Sequence, residues 1–178
     1  MRTRTSTILF FALWPDDATR VQIAAASATL GGRVTSPANL HLSLGLVSRA
    51  SAEQVDEFIR IGASLLHSPM ELRLTHIEYW RDVGIAALVA QHNPELVSTL
   101  VAGLREALGP RGLDADDQPF RAHIVLSRHI SDFRPRPLAA PIIWRPHCLA
   151  LVEPQLADRY RVYRLRETWP FGGAVAGG

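Results

Sequence analysis

Apolar residues recur along this chain with two periods, and the switches between them mark its elements. Thr5–Leu13, centred on Ile8-Leu9-Phe10-Phe11, reads as a first strand. Pro15-Asp16-Asp17 opens a helix to about Leu30, with acids at its positive end, and Gly31-Gly32 stops it. In Leu40–Val47 the period is two: Leu40, Leu42, Leu44 and Leu46 share one face of a strand, and His41, Ser43 and Gly45 share the other. Ser51-Ala52-Glu53-Gln54 fits a capping box, and the helix it begins places Val55, Phe58, Ile59, Gly62 and Leu66 on one face. Glu71–Tyr79 and Ile85–Ala90 read as strands joined by a turn at Arg81–Gly84.

Asn93 is expected to cap a third helix, with Pro94 at its first position and Gly109-Pro110 at its end. Gly112–Pro119 is polar and acidic, a loop. In the strand Arg121–Ser127, Ile124 and Leu126 point inward, while Arg121, His123, Val125 and Ser127 line the opposite face. Arg134–Pro141 holds three prolines and reads as an exposed connection. Ile142–Glu153 and Tyr160–Trp169 complete the strands, with Pro146 demanding an edge or a bulge. Phe171–Gly178 is a small, glycine-rich tail. The order of elements, with no clear linker, predicts an α+β fold: residues 1–170 as one unit of two lobes, and 171–178 as a loose end. The two histidine strands could be corresponding elements of a duplication.

Composition narrows the function classes. The chain has 178 residues, 47% of them apolar, and no apolar run approaches the roughly 20 residues of a membrane span. The start lacks the form of a signal peptide, and a single cysteine, Cys148, excludes an internal disulfide; both fit a cytoplasmic protein. There is no lysine, which excludes a Walker A phosphate loop, Schiff-base chemistry and self-adenylation on lysine. Residues 1–120 carry 10 arginines against 13 acids, and residues 121–178 carry 9 against 4. The basic end points to an anionic partner, phosphate above all, or simply to an arginine-rich solvated surface.

His41 and His123, 82 residues apart, are the main chemical signal. Imidazole titrates near neutrality, so one ring can supply a proton while another takes one. Two strands facing one phosphorus would give such a pair the in-line geometry that phosphodiester hydrolysis needs. The residue two along from each histidine points the same way, about 6.6 Å further on. Ser43 could donate there to a phosphate oxygen; Val125 cannot. Arg121 shares the parity of His123, and Arg128 could reach phosphate if its strand ends or twists. Taken singly, a strand histidine is more often structural, and the pattern H-x-[ST]-hydrophobic is common by chance. Spacing alone leaves the choice open.

The wider context resembles one family. Ile8-Leu9-Phe10-Phe11-Ala12-Leu13-Trp14-Pro15, Asn39-Leu40-His41-Leu42-Ser43-Leu44, Pro119-Phe120-Arg121-Ala122-His123-Ile124-Val125-Leu126-Ser127-Arg128, and the closing Leu149–Glu153, Tyr160-Arg161-Val162 and Trp169-Pro170 are similar to the 2′-5′ RNA ligases, also called RNA 2′,3′-cyclic phosphodiesterases. The resemblance covers nearly the whole chain. It implies the two-lobed 2H phosphoesterase fold, with mostly antiparallel sheets, helices outside and a central groove. It implies opening of 2′,3′-cyclic phosphates to 2′-phosphomonoesters, with reversible 2′-5′ RNA ligation as a further possibility, and neither metal nor cofactor. By motif, His41 would protonate the leaving 3′ oxygen, His123 would activate water, Ser43 would hold phosphate, and Arg128 would match the basic residue closing the second motif. The implied partner is RNA with a cyclic phosphate end, or a cyclic nucleotide, acted on by a monomer away from membranes.

Three positions depart from the family pattern: Val125 in place of a second hydroxyl, Ala122 in place of proline, and Ala86-Ala87 where bulkier residues are usual. The alternative function is therefore a noncatalytic or weakly active RNA or nucleotide binder that kept the fold. Trp14, Trp80, Trp144 and Trp169 read first as packing residues. Phe10, Phe11 and Trp80 could stack on a nucleobase. Alternation puts Phe10 and Phe11 on opposite faces, so only one can be aimed at a ligand, and Phe11 is assigned to the substrate. His67, His76, His92, His129 and His147 lack metal-ligand spacing.

Overall fold

The computed structural model describes residues 7–65, 68–109, 119–157 and 160–172. Thr5-Ser6 of the first expected strand, Leu66 and His67, the connection over 112–118 and the tail from 173 lie outside them. The elements run β1 (Thr7–Leu13), α1 (Asp17–Ser27), β2 (Arg33–Val34), β3 (Leu42–Ala50), α2 (Ala52–Ser64), β4 (Leu72–Trp80), β5 (Ile85–Ala90), α3 (Glu95–Leu108), β6 (His123–Arg128), β7 (Arg136–Trp144), β8 (Cys148–Ala157) and β9 (Tyr160–Pro170). Two antiparallel sheets result, with strand orders β3-β1-β8-β9 and β2-β6-β5-β4-β7, so the expected α+β class holds. No helix of the described residues is long and apolar enough to cross a membrane.

Local chemistry explains most boundaries. The Asp16 carboxylate accepts from the Thr19 backbone N–H at 2.9 Å and starts α1. Ser51 and Gln54 form the expected reciprocal capping box of α2. Helix α3 buries Val97, Leu100, Val101, Leu104 and Leu108, a stripe at helical spacing. These stripes join Leu9, Phe11 and Leu13 of β1, Leu42 and Leu44 of β3, Leu72, Leu74 and Ile77 of β4, and Ile124 and Leu126 of β6 in one core. The other face of β1 is also covered: Phe10 and Ala12 pack with Ala150 and Val152 under Trp14 and Tyr163.

Three elements differ from the sequence reading. Arg136–Trp144 is a strand, not a connection. Its prolines are tolerated because β7 is the sheet's edge and its register against β4 is interrupted between Pro137 and Ile142. The expected strand Ile142–Glu153 is two strands in different sheets, split where Arg145-Pro146-His147 leave β7 for β8. Pro146 cannot donate to a ladder, and the chain crosses between sheets there. Asn93 does not cap α3, whose N-cap position is Pro94. Its side chain instead donates to the Phe120 carbonyl and accepts from the Ala122 N–H at 2.8 Å.

Two register shifts aim side chains that alternation alone misplaces. On β6, Ala87 pairs with Val125 but Ala86 pairs with Ser127, leaving Leu126 as an extra residue. Leu126 and Ser127 are consequently both buried, and Ser127 donates to the Gly31 carbonyl at 2.7 Å. Arg128 returns to the face of His123 and Val125. On β4 the shift lies between Leu74 and His76, so His76, Glu78 and Trp80 face away from the core that Leu72, Leu74 and Ile77 enter.

Candidate active site

His41 stands immediately before β3 rather than within it, after the 3₁₀ turn Pro37–Asn39. Its Nδ1 lies 2.7 Å from the Asn39 carbonyl oxygen. A carbonyl only accepts, so Nδ1 carries hydrogen and Nε2 is left to exchange a proton. His123 repeats the device: Nδ1 lies 2.8 Å from the Arg121 carbonyl. Each ring is therefore held by the backbone of the second residue before it, in the same tautomer.

His41 packs on the face of β1 that carries Phe10, His123 projects from β6 of the second sheet, and the groove is the space between these two faces. On the first sheet, Trp14 stacks on His41 (centroids 5.6 Å, planes 9° apart), with Phe10 at 4.9 Å and Tyr163 at 5.1 Å. Arg20 lies over the Trp14 ring and donates to the Pro15 and Pro37 carbonyls, tying the segment after Trp14 to the turn before His41. Ser43 is half-buried and in register with Ala12 on this face.

On the second sheet, register places three rows across β4, β5 and β6: His76–Val89–His123, Glu78–Ala87–Val125 and Trp80–Ile85–Arg128. Trp80 reaches from the third row to His123, their centroids 4.5 Å apart. Ala87 and Val89 have no exposed surface although they face the groove, so larger neighbours cover them.

The histidines of the two sheets lie close enough for charge on one to act on the other. Burial lowers the His41 pKa below the ordinary histidine value; the Asn39 carbonyl opposes this, and the charges of Arg128 and His123 add to the lowering. Burial likewise lowers His123, opposed by the Arg121 carbonyl and Glu78 and reinforced by Arg128 and Arg121. One guanidinium, Arg128, acts on both imidazoles, and strands β3 and β6 touch where the sheets meet. Such a site can take and give protons around a bound anion.

The candidates fare unequally. His41, Ser43, His123 and Arg128 face this groove. Arg121 is ion-paired to Glu78 through one guanidinium nitrogen. Phe11 is a correction: it is wholly buried in the main core, stacked on Trp169, and cannot meet a ligand in the groove. Phe10, with the opposite parity, is the residue beside His41. Two tryptophans read as packing residues, Trp14 and Trp80, lie against the histidines, whereas Trp144 and Trp169 pack with the core. Sequence reasoning missed Asn93, Glu78 and Trp14. Counting back by two from Trp80 would have found Glu78. Among the described residues no three His, Cys, Asp or Glu side chains are grouped to hold a metal ion.

Neither a protein-family model nor a curated protein sequence matches the chain. Solved structures do. A phosphoesterase crystal structure superposes with a TM-score of 0.88 at 23% identity, covering 94% of this chain and 99% of that one. E. coli LigT complexed with 3′-AMP gives 0.88 at 22%, covering 95% and 100%. The TT0787 protein of Thermus thermophilus gives 0.79 at 24%, covering 94% and 99%. At this identity the likeness defines architecture, and the chain has the LigT fold over nearly its whole length.

Proposed function

We propose that this protein is a phosphoesterase that opens 2′,3′-cyclic phosphates at RNA ends, or in cyclic nucleotides, leaving a 2′-phosphomonoester. The observation that carries the reading is the pair of imidazoles with the same tautomer, brought from separate sheets under the charge of one arginine. Neutral His123 takes a proton from water through Nε2, and the water oxygen bonds to phosphorus. The bond from phosphorus to O3′ breaks as protonated His41 delivers its Nε2 proton to that oxygen. Arg128 and the Ser43 hydroxyl hold the nonbridging oxygens as charge builds on them. Run in the same direction with a 5′-hydroxyl in place of water, the same transfers would join RNA ends 2′-5′, and run backward they would cleave that bond.

Incubation with an oligonucleotide ending in a 2′,3′-cyclic phosphate, with chelator present, tests this directly. The expected product carries its phosphate on O2′, and His41→Ala and His123→Ala each abolish turnover while the fold persists. Unchanged rates in either variant reject the assignment. Val125 favours a second reading, a nucleotide binder that kept the fold, because the hydroxyl absent there removes one phosphate donor. That reading expects binding without turnover.

A further inference from the structure

The groove face of β4 carries a hydrogen-bonded cluster that the acid–base scheme leaves unused. Glu78 is its hub. Trp80 Nε1–H donates to Glu78 Oε2 at 3.0 Å, His76 Nε2 lies 3.1 Å from Oε1, and the Arg121 guanidinium bonds the same Oε1. The Thr75 hydroxyl is 2.9 Å from His76 Nδ1; since the carboxylate can only accept, His76 donates through Nε2 and takes the Thr75 hydrogen bond through Nδ1. The Glu78 side chain is 20% exposed. Burial works to raise its pKa, but the hydrogen bonds of Trp80 and His76 and the charge of Arg121 prevail and keep it below the ordinary carboxylate value.

An ionised carboxylate beside an anion groove repels the ligand the groove is built for, so mere filling of space does not account for it. Its three partners do. One of them, Trp80, leans on His123, and another, Arg121, supplies the carbonyl that holds His123 Nδ1. We propose that Glu78 is a positioning residue: gripping Trp80 and Arg121, it fixes the plane of the His123 ring and balances the arginine charge around it. The inference rests on the acid–base reading of His123. The charged and titratable groups facing that ring are Glu78 and His76 from β4, Arg121 and Arg128 from its own segment, and His41 across the groove; β5 presents Ala87 and Val89.

The test is ring-nitrogen NMR titration of His41 and His123 in the full-length protein and in Glu78→Gln, which can still accept from Trp80 but carries no charge. The expected result is a lower His123 midpoint, since the removed charge favoured the imidazolium, with the His41 midpoint unmoved. An unmoved His123 midpoint, or equal movement of both rings, overturns the proposal. Trp80→Phe provides a second arm, because it keeps an aromatic ring over His123 but cannot donate to Glu78. It should lower kcat for a cyclic phosphodiester about 10–100-fold with little change in KM; unchanged kcat overturns the proposal. Because the titration needs no substrate, a protein inactive on cyclic phosphates would reject the function while the NMR result still decides the role of Glu78.

Discussion

Arg128 is the side chain through which the two histidines share one electrostatic environment. Its charge lowers both imidazoles, on top of the larger effect of burial. The free protein needs one ring protonated and one neutral, so kcat/KM should peak on the acid side of the ordinary histidine value of about 6.5. In Arg128→Gln both limbs of that profile should move to higher pH, because the charge that disfavoured each imidazolium is gone. Limbs that stay in place, in a pH series with a cyclic mononucleotide, would remove Arg128 from the site. Val125 faces the same groove from the row beside His123. Val125→Thr is expected to raise kcat, by up to about 10²-fold if the added hydroxyl meets a phosphate oxygen in the transition state. Alternation made the faces of His41, Ser43 and His123 legible, whereas their expected roles came only from the family resemblance. Arg128 was legible only conditionally, because its aim depends on the extra residue at Leu126, and a bulge leaves no mark in a run such as Ile124–Ser127.

At the scale of elements, Gly62 and Asn93 carry specific loads. A Cβ added at Gly62 of α2 would stand 2.2 Å from the Trp169 ring of β9. Gly62→Ala should therefore destabilise by about 1–3 kcal/mol, read as a lower urea midpoint, with part of the loss recovered when Trp169 is also reduced to Leu. Asn93 clasps the backbone on both sides of Arg121, whose carbonyl orients His123. Asn93→Ala should lower kcat more than KM, and a variant with full turnover would show that the clasp is dispensable. The periods of α2, α3 and β3 were readable because one face of each is buried, whereas β5, buried on both faces, was readable as a continuous apolar run. β7 was not, since an edge strand with an interrupted ladder and three nearby prolines has the local chemistry of a loop. The crossing at Pro146 was readable as a break but not as a change of sheet, which only long-range packing decides.

The molecule as a whole should record its buried histidines in its acid stability. Unfolded imidazoles take up protons near pH 6.5, whereas the native rings stay neutral to lower pH. Their stabilising contribution is complete above the unfolded value and is lost as pH falls through the native values. The double variant His41→Asn/His123→Asn should lose less stability between pH 7.5 and pH 5.5 than the parent. Thermal melts at the two pH values measure the difference, and equal losses would mean that other groups govern the acid response. The α+β class and the LigT fold followed from the order of elements together with the quoted motifs, but the arrangement of strands within each sheet did not, because neighbours such as β1 and β8 are distant in sequence.

The matched carbonyl anchors have a last implication. Since the inner nitrogen of each ring is committed to its own main chain, neither imidazole relies on the other, or on a carboxylate, to select its tautomer. The two rings are thus alike in kind, and in the proposed scheme their positions alone make His41 the acid and His123 the base. Because water and a 5′-hydroxyl would enter by the same route, their relative abundance would decide whether such a site cuts or joins.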